Sequence, residues 1–116
     1  MSYVIPNPQR TLRVNSNIEN VRSAIKVVAN HVQPTKLTVN NEIMNYYQFQ
    51  SAVKGLDMGM VLEVCLHDID SIKTDIHLEV RRAFGHINSI SEIDDCWGFI
   101  NGCTNMLGKA LRQEIK

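Results

Sequence analysis

Ile72-Lys73-Thr74-Asp75-Ile76-His77-Leu78-Glu79-Val80-Arg81 is an unbroken alternation. Ile72, Thr74, Ile76, Leu78 and Val80 fall on one side, and Lys73, Asp75, His77, Glu79 and Arg81 on the other. Successive side chains of a strand point to opposite faces, so this stretch has one buried and one wet face. A parallel strand is covered on both faces and reads as a continuous apolar run. Strict alternation instead specifies an antiparallel sheet with water on one side. The apolar side of such a sheet needs a second layer, and the rest of the chain supplies it.

Just upstream, Met60, Leu62, Val64 and Leu66 form one face of a partner strand, with Val61, Glu63, Cys65 and His67 opposite. Asp68-Ile69-Asp70-Ser71 turns the chain between the two strands, and Gly55–Gly59 is a turn before them. Further back, Leu37 and Val39 lead into Asn40-Asn41, a pair that tolerates positive φ and suits a hairpin turn. Alternatively, one strand keeps Leu37, Val39, Ile43, Tyr47, Phe49 and Val53 on a single odd-numbered face. The hairpin is favoured because so long a strand is unusual. A bulge near Asn40-Asn41 reconciles the two.

Pro6 and Pro8 make residues 1–9 an extended arm. Thr11–Asn15 is a short strand with Leu12 and Val14 on one face. Ser16-Asn17-Ile18-Glu19 fits a capping box with Ser16 as the cap. Ile18, Val21, Ala24, Ile25, Val28 and Val32 then recur at helical spacing until Pro34. Gly85 breaks the last strand, and Ser89-Ile90-Ser91-Glu92 opens a second helix. Its apolar stripe is Ile93, Cys96, Ile100, Cys103, Leu107, Ala110 and Leu111. Acids stand near its start, and Lys109, Arg112 and Lys116 near its end, as the helix dipole favours. The order β-α-β-β-β(-β)-α predicts a single α+β domain over residues 1–116. Its architecture is a two-layer sandwich, an antiparallel sheet of four to five strands with two helices on one face.

The totals narrow the function. Lys plus Arg and Asp plus Glu are both 12 of 116 residues, a balance that argues against nucleic acid as a partner. No run approaches the roughly 18–20 apolar residues of a membrane span, and the N-terminus lacks a signal-peptide core. Three cysteines cannot all pair, and Cys96 and Cys103 lie about 10 Å apart along one helix, too far for a disulfide. Reduced thiols point to the cytoplasm. No cofactor motif is present, since Gly55-Leu56-Asp57-Met58-Gly59 lacks the lysine and hydroxyl of a phosphate loop.

Thr11–Val21, a strand running straight into a capped helix, and the closing Trp97-Gly98-Phe99-Ile100, Leu107 and Leu111 resemble an abridged helix-grip domain. That is the fold of START-type and plant-allergen-type ligand carriers. The order of elements is also similar to single-repeat relatives of the TATA-binding-protein fold. The helix-grip resemblance implies a small apolar ligand, a lipid or metabolite, bound or sensed by the domain.

Four groups of residues are candidates for a site. On the wet sheet face, Glu63, Cys65 and His67 face Asp75, His77 and Glu79, ligand types for a transition metal. Two registers keep the apolar faces aligned. One sets Glu63 opposite His77 and Cys65 opposite Asp75; the other sets Cys65 opposite His77 and His67 opposite Asp75. A solvated ladder of opposite charges is the simpler reading, so no metal is assigned. The cysteines are a second group, but Cys96 and Cys103 lie in the apolar stripe, where cysteine acts as a small core residue. Tyr47, Phe49, Met58, Met60, Trp97, Phe99 and Met106 form a third group, lining a pocket between sheet and long helix or simply filling the core.

The fourth is the back of the long helix, where Gly98, Asn101, Gly102, Asn105 and Gly108 replace the usual long polar side chains. Asp94 stands at one end of this strip and Lys109 and Arg112 at the other, so two antiparallel copies would pair opposite charges. No acid, base and nucleophile set is specified, and the reading leans away from an enzyme. Two function classes remain: a non-catalytic protein-interaction or oligomerising module, homodimeric through the C-terminal helix, and a domain for a small apolar ligand.

Overall fold

The structure is a computed structural model that describes residues 6–31, 36–50, 59–82, 87 and 90–112. Among the described residues it is an α+β sandwich of five strands and two helices. These are β1 (Gln9–Val14), α1 (Ile18–His31), β2 (Lys36–Asn41), β3 (Tyr46–Gln50), β4 (Met60–Asp70), β5 (Lys73–Arg82) and α2 (Ile90–Leu111). The sheet runs β1-β5-β4-β3-β2, with every neighbouring pair antiparallel. β2 to β5 form a meander, and β1 joins its far side against β5. The crossing from β1 to β2 is made by α1.

The alternation of β5 is realised without a slip: Thr74, Ile76, Leu78 and Val80 are fully buried. Ile76, Leu78 and Val80 meet Leu12 and Val14 of β1, Leu62, Val64 and Leu66 of β4, and Tyr47 and Phe49 of β3 in one core. α1 contributes Val21, Ala24, Ile25 and Val28, and α2 contributes Cys96, Ile100, Cys103 and Leu107. Both helices therefore cover the same sheet face. Among the described residues, no helix is long and apolar enough to cross a membrane.

Local details depart from the sequence reading. The cap of α1 is Asn17, not Ser16. Its side-chain oxygen accepts from the Asn20 amide at 2.9 Å, and its carbonyl accepts from the Val21 amide at 3.1 Å. Asn and Ser cap equally well, so the choice falls to where the strand releases the chain. Ser16 is instead held at the sheet, its carbonyl accepting from the Thr74 hydroxyl at 2.9 Å. Asn17→Ala is expected to lower stability by about 1 kcal/mol in urea denaturation, the usual worth of such a cap.

The hairpin reading holds, but the turn comes after Asn41, at residues 42–45. Asn45 closes it with φ 53°, a left-handed conformation that asparagine tolerates. The Asn41 side chain accepts from the Met44 amide at 3.1 Å. Ile43, expected on the core face, lies in this turn and is 93% exposed. The bulge sits earlier than expected, between Leu37 and Val39. Ile72 likewise falls in the β4–β5 turn rather than on the core face. α2 ends at Leu111, where Arg112 takes φ 55° and its amide donates to the Lys109 carbonyl at 3.2 Å. The roles read for Val32, Pro34, Val53, Gly55, Met58, Gly85, Ser89 and Lys116 lie outside the described residues.

Candidate functional site

The wet sheet face adopts the second of the two expected registers, with Cys65 opposite His77 and His67 opposite Asp75. Glu63 then falls opposite Glu79, a like-charge pair. Neighbours absorb that repulsion: Arg81 donates to Glu63 at 3.2 Å, and the Asn7 amide reaches Glu79 at 3.5 Å. Arg13 of β1 grips Asp75 through two hydrogen bonds, at 2.8 and 3.0 Å, and this donor holds the Asp75 carboxyl below its usual range. The Thr11 hydroxyl and His77 Nδ1 are 2.9 Å apart. Glu63, Asp75, His77 and Glu79 are thus each engaged by a neighbouring side chain. Among the described residues, no three of the His, Cys, Asp and Glu side chains are grouped to hold a metal ion.

The thiols are poorly suited to nucleophilic chemistry, which needs the thiolate. Burial, helped by Glu63 and Glu79, pushes the Cys65 thiol up. Burial, then Asp95 and Glu92, pushes Cys96 up to about 11, and burial alone pushes Cys103 up to about 12. All three are free cysteines. Cys96 Sγ lies 3.8 Å from Met60 Sδ, an ordinary core contact.

The residues considered for an apolar pocket separate. Tyr47 and Phe49 are buried, while Met60, Phe99 and Met106 are half-buried against the core. Trp97 is 37% exposed and projects about 160° around α2 from Phe99, so the two cannot line one cavity wall. The Tyr47 hydroxyl is buried and has no hydrogen-bond partner among the described residues. Above it, Arg22 donates to Asn45 at 3.2 and 2.6 Å, and Lys26 pairs with Glu42, fastening α1 to the β2–β3 turn.

On α2, Asp94, Gly98, Asn101, Gly102, Asn105 and Lys109 form one continuous exposed strip. A Cβ added at Gly98 or Gly102 would meet nothing of the described residues within 4 Å. Gly108 is buried, although it lies only about 20° around the helix from Asn101. It belongs to the covered flank. Asn101 is tied back to the sheet edge by Arg10 of β1, at 3.4 Å. Arg112 leaves the strip because the helix has ended; it lies at the rim of a groove of about 500 Å³ between the start of α1 and the end of α2. That groove was not anticipated from the sequence. Its only local signal is the small and polar run Asn20, Ser23, Ala24 on one side of α1, which becomes a groove only when α2 packs beside it.

In outline, an antiparallel sheet closed on one face by an early helix and a long final helix resembles the helix-grip type. No protein-family profile and no curated protein sequence matches the chain. Among solved structures, an uncharacterised protein of Bacillus thuringiensis aligns with a TM-score of 0.66 at 9% identity, covering 93% of this chain and 100% of that one. XoxI from Bacillus cereus aligns at 0.58 with 12% identity, covering 92% and 93%. The di-domain ARO/CYC protein BexL of the BE-7585A biosynthetic pathway aligns at 0.55 with 9% identity, covering 92% of this chain and 44% of that one. At such identities the likeness is one of fold.

Proposed function

We propose that the chain is a non-catalytic interaction module that pairs with a second copy of itself through the outward face of α2. The observation that carries this reading is the empty space over Gly98 and Gly102. An interior helical glycine costs about 0.8–1 kcal/mol relative to alanine. Where glycine makes room for a neighbouring backbone, packing offsets that cost; here no part of the described chain fills the space. A partner helix approaching closely would use it. Asp94 and Lys109, at opposite ends of the strip, favour an antiparallel pair across a twofold axis.

Sedimentation equilibrium tests the reading. Wild type is expected to dimerise and Gly102→Leu to be monomeric, while Gly102→Ala stabilises the dissociated chain by about 0.8–1 kcal/mol in denaturant. A wild type that stays monomeric at high concentration would falsify the proposal.

A second reading, binding of a small apolar ligand between sheet and helices, is favoured by the Tyr47 hydroxyl, which has no partner among the described residues. A ligand bearing one acceptor would satisfy it, and the fold likeness to an ARO/CYC protein is compatible with such a role. Native mass spectrometry of freshly purified protein separates the two readings, since one yields a dimer mass and the other a small adduct.

A further inference from the structure

The groove at the top of the helix layer is lined by two kinds of surface. Its floor and wall are apolar: Ala24 and Val27 of α1 and Leu111 of α2. Val27 is 46% exposed there and leaves an aliphatic surface open to the groove. The rim is polar, with Asn20 and Ser23 on the α1 side and Arg112 on the other. Among the described residues, no acidic side chain lines the groove and Arg112 forms no ion pair. The first turn of α1 brings the positive end of its dipole to the same place. The opposite polarity of the α2 terminus is offset there by Lys109 and Arg112.

We propose that this groove binds a small amphipathic anion, a medium-chain carboxylate. The carboxylate is held by Arg112 with Ser23 and Asn20 as hydrogen-bonding partners, and the aliphatic chain lies on Ala24, Val27 and Leu111. The charge of the lining selects an anion over a neutral or cationic ligand, because a guanidinium hydrogen-bonds an ionised acceptor such as a carboxylate about twice as strongly as a neutral one. The volume is within the roughly 300–1,000 Å³ of small-molecule sites. The groove lies between the helices and shares no lining residue with the exposed α2 strip or with Tyr47, so it is independent of both.

Octanoate, octanol and acetate are the probes, titrated into the full chain and followed by backbone amide shifts and calorimetry. Octanoate is expected to shift the Ser23, Val27 and Leu111 amides. Octanol and acetate each bind at least about tenfold more weakly, since one lacks the charge and the other the chain. Arg112→Gln weakens octanoate by a similar factor, and Val27→Glu abolishes binding by placing an acid on the apolar wall. Both residues are solvent-exposed, so the variants keep the wild-type fold and its spectrum. Because Val27 is on α1, its substitution leaves the association state unchanged, which separates failure of this site from failure of α2 pairing. The proposal is overturned if octanoate moves none of these amides, or if Arg112→Gln binds it as wild type does.

Discussion

Leu62→Ala is expected to destabilise the protein by about 2–5 kcal/mol, a large fraction of the roughly 5–15 kcal/mol that holds a typical domain together. Leu62 is fully buried on β4, the middle strand, with Phe49 opposite it on β3 and Val80 opposite on β5. Truncation removes apolar surface that was shielded from water and leaves a cavity. Its walls are strands hydrogen-bonded on both sides, so they relax little, and the cost should fall in the upper part of the range. Urea denaturation should show a lower midpoint with an unchanged slope. Ile72→Ala is the contrast. Ile72 shares the alternation that defined β5, yet it is 63% exposed, and its truncation should change stability by less than about 0.5 kcal/mol. Equal losses at the two positions would contradict the placement of the turn.

Alkaline pH is the second large lever, and its sign follows from the thiols. In the unfolded chain a cysteine loses its proton near pH 8.5. In the folded chain Cys96 keeps it to about 11 and Cys103 to about 12. Above the unfolded value the native state therefore binds more protons than the unfolded state, and stability falls as pH rises. The contribution is fully present below the unfolded value and is lost as pH climbs to the folded one, at up to about 1.4 kcal/mol per pH unit for each thiol. Burial raises the Tyr47 phenol as well, so it adds to the loss at the upper end of the window. Denaturation midpoints measured in reductant across this range should decline, and Cys103→Ala should flatten the decline. A double Cys96→Ala, Cys103→Ala variant that declined as steeply as wild type would remove the thiols as the cause.

The elements that were legible in the sequence are those in which each residue reports on its own burial. Thr74, Ile76, Leu78 and Val80 alternate because one sheet face is dry, and Cys96, Ile100, Cys103 and Leu107 recur at helical spacing because one stripe is. The two-layer architecture follows from those periods alone. The failures cluster at turns. Ile43 and Ile72 continue the apolar parity of their strands, and nothing in that parity marks where the chain leaves the sheet. The candidate sites fared unevenly for a related reason. Helical geometry placed Gly98, Asn101, Gly102 and Asn105 on one exposed strip. It could not place Gly108, whose burial depends on what packs beside α2, nor keep Trp97 with Phe99, which project to opposite flanks.

By itself, then, the sequence determined the class of fold and the inward face of each strand and helix, because periodicity is a local record of which side faces water. Tertiary structure alone decided that β1 pairs with β5, that Cys65 stands opposite His77, and that Tyr47 is buried with no partner for its hydroxyl among the described residues. It also decided that Asn20, Ser23 and Val27 meet Leu111 and Arg112 across a groove. Each of these depends on which distant segments come together, and pairing between segments far apart in the chain leaves no trace in the period of either one.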